Sequence, residues 1–115
     1  SRDSGMAAPL RMDTARDIAT AQIVRNVMGL PGGQLVCNPI PADDEIPADD
    51  LSPMIAQALA DAEAQGISAK AVTPFLLDRI FTLTDGRSLT ANIALVRNNA
   101  RLAAAIAIEM GTAAG

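Results

Sequence analysis

Residues 86–102, GRSLTANIALVRNNARL, spell a helix that carries three asparagines, Asn92, Asn98 and Asn99, where helices usually avoid them. The asparagine amide competes for nearby backbone groups and lowers helix propensity, so this spelling points to a site rather than to a generic amphipathic surface. At about 100° per residue, Asn99 falls nearly in line with Asn92 two turns on. Ser88, Leu95, Leu102 and Ile106 lie around the same side, and Thr90, Arg97 and Arg101 project from the opposite one. On this reading the arginine face is solvated, and Asn92 and Asn99 point into the protein among aliphatic residues. An unpaired buried amide costs about 1–3 kcal/mol, so each needs backbone, water or a ligand. The spacing alone leaves open whether the amides tie the helix to neighbouring backbone or hold a ligand.

Working outward, Ser88 is the expected N-cap of this last and longest helix, which runs to about Met110 and offers an alanine-rich stretch, residues 102–108, for close packing. Thr84-Asp85-Gly86 breaks the chain before it. Thr73 and Pro74 supply an N-cap and an N1 proline for a short helix over 75–83, and residues 66–72 are a loop. A further helix is expected over 51–65, ending at Gly66. Residues 39–50 hold three prolines and five acidic residues and read as an extended connection. The first helix covers 13–28, with Asp13 or Thr14 as N-cap, Ile18, Ala21, Val24, Val27 and Met28 at helical spacing, and Gly29 as its stop. After the turn GLPGG, Gln34-Leu35-Val36-Cys37-Asn38 reads as a short apolar strand closed by Asn38-Pro39. Helix, glycine turn and buried strand together indicate an α/β class, with about four helices and one strand.

Composition bounds this further. The 115 residues are one domain's worth, 50% hydrophobic, with a net charge of −4. Mean hydropathy is +0.23. Tryptophan, tyrosine and histidine are absent and there are two phenylalanines, so alanine stands where an independent small domain places larger side chains. Alanine buries little area, and a core built from it needs neighbouring surfaces, which implies a part of a larger structure. The opening SRDSG lacks an apolar stretch and a cleavage site, so it reads as a cut or processed start rather than a signal sequence. A lone cysteine excludes an internal disulfide and fits a reducing cytoplasm. Arg97, Asn98 and Asn99 interrupt the longest apolar run, which falls short of a membrane span. The acidic balance and the lack of a basic, aromatic-interleaved patch argue against nucleic acid.

Four other features offer the residue types of a site. Asp43-Asp44-Glu45 and Asp49-Asp50 offer hard oxygen ligands, but they precede a helix, where negative charge favours the N-terminus. Lys70, the single lysine, sits between Ala69 and Ala71 in a loop and reads as solvated. Gly32-Gly33 follows a helix rather than a strand, the reverse of a phosphate loop, and reads as a turn. Cys37 reads as a small buried residue, since no histidine exists to activate it. No catalytic dyad is spelled out.

Three long segments carry a resemblance. Asn38-Pro39-Ile40-Pro41 with its acidic follower, residues 66–77 (GISAKAVTPFLL) and residues 86–100 (GRSLTANIALVRNNA) resemble, in order and spacing, the C-terminal part of the pseudouridine-5'-phosphate glycosidases, also called indigoidine synthase A-like proteins. The opening Arg2-Asp3-Ser4-Gly5 through Pro9 and Arg11 is similar to that family's lead-in. Ala69 stands where the family leads one to expect glycine, and Asp85 where a second glycine is usual, which bears on loop geometry.

The resemblance implies that residues 1–115 are the C-terminal segment of a single larger glycosidase domain, the helix-rich end of an α/β/α sandwich. It implies cleavage of the carbon–carbon glycosidic bond of pseudouridine 5'-phosphate to uracil and ribose 5-phosphate, with a divalent metal, usually manganese, in a cytoplasmic homotrimer. Family members are thought to hold the opened ribose as an imine on a lysine while a carboxylate moves protons. That lysine, the acid and the metal-binding aspartate all belong to upstream motifs, so no catalytic residue or metal ligand is expected here and Lys70 does not fill the gap. Asn92 alone carries over, matching an asparagine that the family places at its active site, with the expected role of binding substrate. The alternative is a non-catalytic assembly or interaction module, in which the alanine-rich helix docks a partner and the asparagines fix register.

Overall fold

The computed structural model describes residues 5–114, so Arg2, Asp3 and Ser4 of the opening motif lie outside the described residues. Four helices follow one another: α1 (Ala15–Val27), α2 (Ala48–Ala64), α3 (Val72–Leu83) and α4 (Arg87–Ala114). The described residues contain no strand. Residues 34–38 form no ladder, which corrects the expected strand: Leu35 stands 92% exposed, and an apolar run without a partner edge has nothing to pair with. The helix-rich part of the expected architecture is present. By their contacts the described residues divide into two units, residues 39–95 and residues 5–38 with 96–114.

In the first unit α2 packs on α3, and Ala58 and Ala62 are buried, small enough to let neighbouring backbone approach. Ile40 and Ile46, either side of a 3-10 turn at Ala42–Asp44, complete its buried apolar residues. The α2–α3 pair is also tied by charge: Arg79 Nε donates to Asp61 Oδ2 at 2.7 Å, and Gln57 Nε2 donates to Asp61 Oδ1 at 2.9 Å. The Arg79 hydrogen bond first, and the Gln57 bond second, hold the Asp61 carboxyl below its ordinary value.

Helix starts differ from expectation in instructive ways. Helix α2 begins at Ala48 rather than residue 51, so Asp49 and Asp50 occupy its first turn, where their charge meets the free N–H groups. Pro53 therefore lies inside the helix and has no N–H to return to the preceding turn. Helix α3 begins at Val72, directly after a 3-10 turn at Ala69–Ala71, so Thr73 is helical and the cap position, Ala71, makes no side-chain bond. Pro74 still falls in the first turn, where a missing donor costs nothing. Ser88 is not the cap of α4 either. Thr84, 5% exposed, accepts from the Ser88 N–H at 3.0 Å through Oγ1 and donates to the Ile80 carbonyl at 2.7 Å, joining the end of α3 to the start of α4.

Helix ends follow one pattern. In each of α1, α2 and α3 the second residue past the cap donates back to the third helical carbonyl from the end: Leu30 to Arg25 at 3.0 Å, Ile67 to Ala62 at 2.9 Å and Gly86 to Phe81 at 2.9 Å. This closure needs a left-handed residue just past the cap. Gly29 (φ +69) and Gly66 (φ +67) supply it as expected, and Asp85 supplies it at φ +52. Ala69, at φ +55, is the other non-glycine residue with positive φ among the described residues. These are the two positions at which the resemblance implies glycine, and both hold the left-handed backbone that glycine adopts without strain.

In the second unit Thr14 caps α1, accepting from the Asp17 N–H at 3.1 Å. Ile18 and Ala19 are buried, whereas Val24, Val27 and Met28, at core spacing in the sequence, are exposed. The following loop is held to α1 by polar bonds: Gln34 Nε2 donates to Gln22 Oε1 at 2.9 Å, and Arg25 Nη2 to the Pro31 carbonyl at 2.9 Å.

Candidate functional site

Helix α4 is continuous for 28 residues, and its first two turns carry Asn92. Ser88, Leu95, Leu102 and Ile106 are half-buried, as the sequence implied. Asn92 and Asn99 are exposed, which corrects the expectation that they point inward. Two further apolar residues beside Asn92, Leu89 and Ile93, are exposed by 51% and 48%. Because α4 is apolar on more than one side, aliphatic neighbours do not reveal which side is packed. Arg97 and Arg101 are exposed as expected.

The amides differ in their partners. Asn99 Oδ1 accepts from Asn38 Nδ2 at 3.1 Å, a bond across 61 positions of sequence that pins the end of the loop after α1 to α4. Asn99 thus takes the tying role, though to a side chain rather than to backbone. Asn92 has no hydrogen-bond partner among the described residues, so both its donor and its acceptor are available to a ligand.

Close to the same turns, Asp43, Asp44, Glu45, Arg87 and Thr90 border a shallow hollow of about 200 Å³. Asn92 is not among its lining residues. Among the described residues no group of three His, Cys, Asp or Glu side chains is placed to hold a metal ion, so the acidic cluster does not fit the divalent cation that the resemblance implies. Lys70 is exposed at the 3-10 turn before α3, and Gly32, at φ +88, belongs to the turn after α1. Cys37, expected to be buried in a strand, is exposed for want of that strand. Sequence reasoning missed Thr84 and the Asp61–Arg79 pair. Thr84 sits in a segment read as a breaker, and a pair 18 residues apart on separate helices has no local signature. No described helix is long and apolar enough to cross a membrane.

Comparison with known proteins bears on the whole chain, α4 included. The family model for Indigoidine synthase A like protein matches residues 1–109. The chain is 62% identical over 112 residues to a pseudouridine-5'-phosphate glycosidase of Jannaschia sp. (strain CCS1), covering 97% of this chain and 37% of that protein. It is 65% identical over 112 residues to the enzyme of that name from Paracoccus denitrificans (strain Pd 1222), with the same shares. A third relative of that name, from Roseobacter denitrificans (strain ATCC 33942 / OCh 114), is 66% identical over 107 residues, 93% of this chain and 34% of its own length. The chain therefore spans a little over a third of the relatives it matches. With a matching model across nearly its whole length, the chain belongs to the indigoidine synthase A-like family.

Proposed function

We propose that these residues are the C-terminal part of a pseudouridine-5'-phosphate glycosidase, which cleaves the carbon–carbon glycosidic bond of its substrate with uptake of one water molecule to give uracil and ribose 5-phosphate. One observation carries the reading: 62% identity over 97% of the chain to a protein of that name. The chemistry needs an electron sink, because the departing carbon offers no heteroatom. Nothing described here supplies one, so the 115 residues alone release no uracil.

Their contribution is a wall of the site. Asn92 offers an amide with neither end engaged, on a continuous helix that fixes its position. It hydrogen-bonds the uracil or the opened sugar and holds it in register with the reacting groups, a positioning role that needs no change of charge. Asn99, bonded to Asn38, keeps the helix and the preceding loop together. In the same reading residues 1–115 are the helix-rich part of one larger domain, an α/β/α sandwich, and manganese is held by residues outside this chain. Assembly as a cytoplasmic homotrimer completes the proposal.

The test uses the full-length protein that carries this segment. Purified with manganese and given pseudouridine 5'-phosphate, it releases uracil and ribose 5-phosphate in equal amounts; the absence of both products from folded protein removes the reading.

A further inference from the structure

The first two turns of α4 expose Leu89 at 51%, Asn92 and Ile93 at 48%, and α3 in the same unit exposes Leu77 at 65% and Phe81 at 43%. Among the described residues the unit's buried apolar side chains are Ile40, Ile46, Ala58 and Ala62. More large apolar side chains of α3 and α4 therefore face outward than the two isoleucines that are buried beside two alanines, against the usual arrangement. Full burial of one leucine or isoleucine is worth about 1.5–3 kcal/mol, so leaving several outside forfeits more than the alanines return. Such a face is covered in a stable protein. The chain spans 37% of the length of its Jannaschia relative, and in that protein nearly two thirds of the polypeptide is available as cover.

We infer that the Leu89–Asn92–Ile93 face of α4 is a seam against the remainder of the same polypeptide, so that Asn92 sits at the edge of a dry interface. This rests on the proposed function only for the identity of that remainder. An amide between two covered aliphatic side chains is screened from water except where the seam opens to a ligand, which would give its hydrogen bonds their selectivity.

Thiol accessibility in the full-length protein tests this. With Cys37→Ser and any other reactive cysteine removed, Ile93→Cys, Leu89→Cys and Arg97→Cys are introduced singly and labelled with a maleimide under native conditions and in denaturant. Native labelling at residues 89 and 93 is expected to be about a hundredfold slower than at residue 97, because it waits for local opening, and equal at all three in denaturant. Comparable native rates at 93 and 97 overturn the seam. Protection that disappears when the native oligomer is diluted to monomers also overturns it, by making the cover a second copy. The pair of cysteine sites keeps the result readable if one variant fails to fold. Uracil release by the unlabelled protein is scored separately: protection without uracil release leaves the seam standing and removes the proposed activity.

Discussion

Replacing Ala69 by glycine should stabilise the protein, against the usual rule that glycine weakens a fold. Ala69 holds φ +55, where a Cβ meets the following carbonyl. That conformation costs an alanine about 1–2 kcal/mol. Glycine removes the clash but gives the unfolded chain more freedom, which takes back about 0.4–1 kcal/mol. The balance is a gain of about 0.5–1 kcal/mol, or about 1–4 °C in Tm for a protein of the relatives' size. Gly66 is the matched control, since it sits at φ +67 with nothing within 4 Å of an added Cβ, so Gly66→Ala tests conformation without a steric clash from neighbours. It should lower Tm by a similar or larger amount. Differential scanning calorimetry on the two variants and the parent, in the full-length protein, supplies the comparison. A lower Tm for Ala69→Gly alongside the expected drop for Gly66→Ala would show that Ala69 is not strained.

Thr84→Val removes the hydroxyl's bonds to the Ile80 and Phe81 carbonyls from a buried residue and leaves the Ser88 N–H without its acceptor, which should cost about 1–2 kcal/mol by chemical denaturation. A change within experimental error would show that the hydroxyl does not secure the α3–α4 junction. The Asp61 carboxyl is held below its ordinary value by Arg79 and Gln57, so its stabilisation is present above the unfolded carboxylate pKa and is lost as pH falls through the folded value. Arg79→Met should therefore flatten the acid limb of a stability–pH profile; an identical slope in both proteins would remove the pair as a contributor. Asn92→Ala should lower the turnover of the full-length enzyme by more than about tenfold while leaving its Tm within a degree or so. Unchanged kinetics would take the amide away from the substrate, and a collapsed Tm would assign it to structure.

All four helices were legible as elements, and their boundaries where the local cap or stop signal held. Thr14 capped α1 and Gly29 and Gly66 stopped α1 and α2, because capping is decided by neighbouring residues in the sequence. The starts of α2 and α3 lie about three residues before the expected ones, since proline is tolerated in an early turn and a 3-10 turn can lead into a helix without a polar cap. The strand at residues 34–38 failed for a different reason: a ladder is a property of two segments, and apolar spelling cannot supply the second. The orientation of Asn92 failed likewise. Periodicity identifies the sides of a helix, but α4 has aliphatic residues on more than one side, and which is packed depends on neighbours distant in sequence. The left-handed positions Ala69 and Asp85 were visible only through the resemblance, as places where glycine was due.

Whether Asn92 meets the substrate of a carbon–carbon bond cleavage is decided by steady-state uracil release from pseudouridine 5'-phosphate by the full-length protein and its Asn92→Ala and Asn99→Ala variants. The expected result is activity in the parent, a loss of more than about tenfold in kcat/KM at residue 92, and a smaller loss at residue 99, whose amide is engaged by Asn38. Equal activity in the parent and the Asn92→Ala variant, or none in a folded parent, would contradict it.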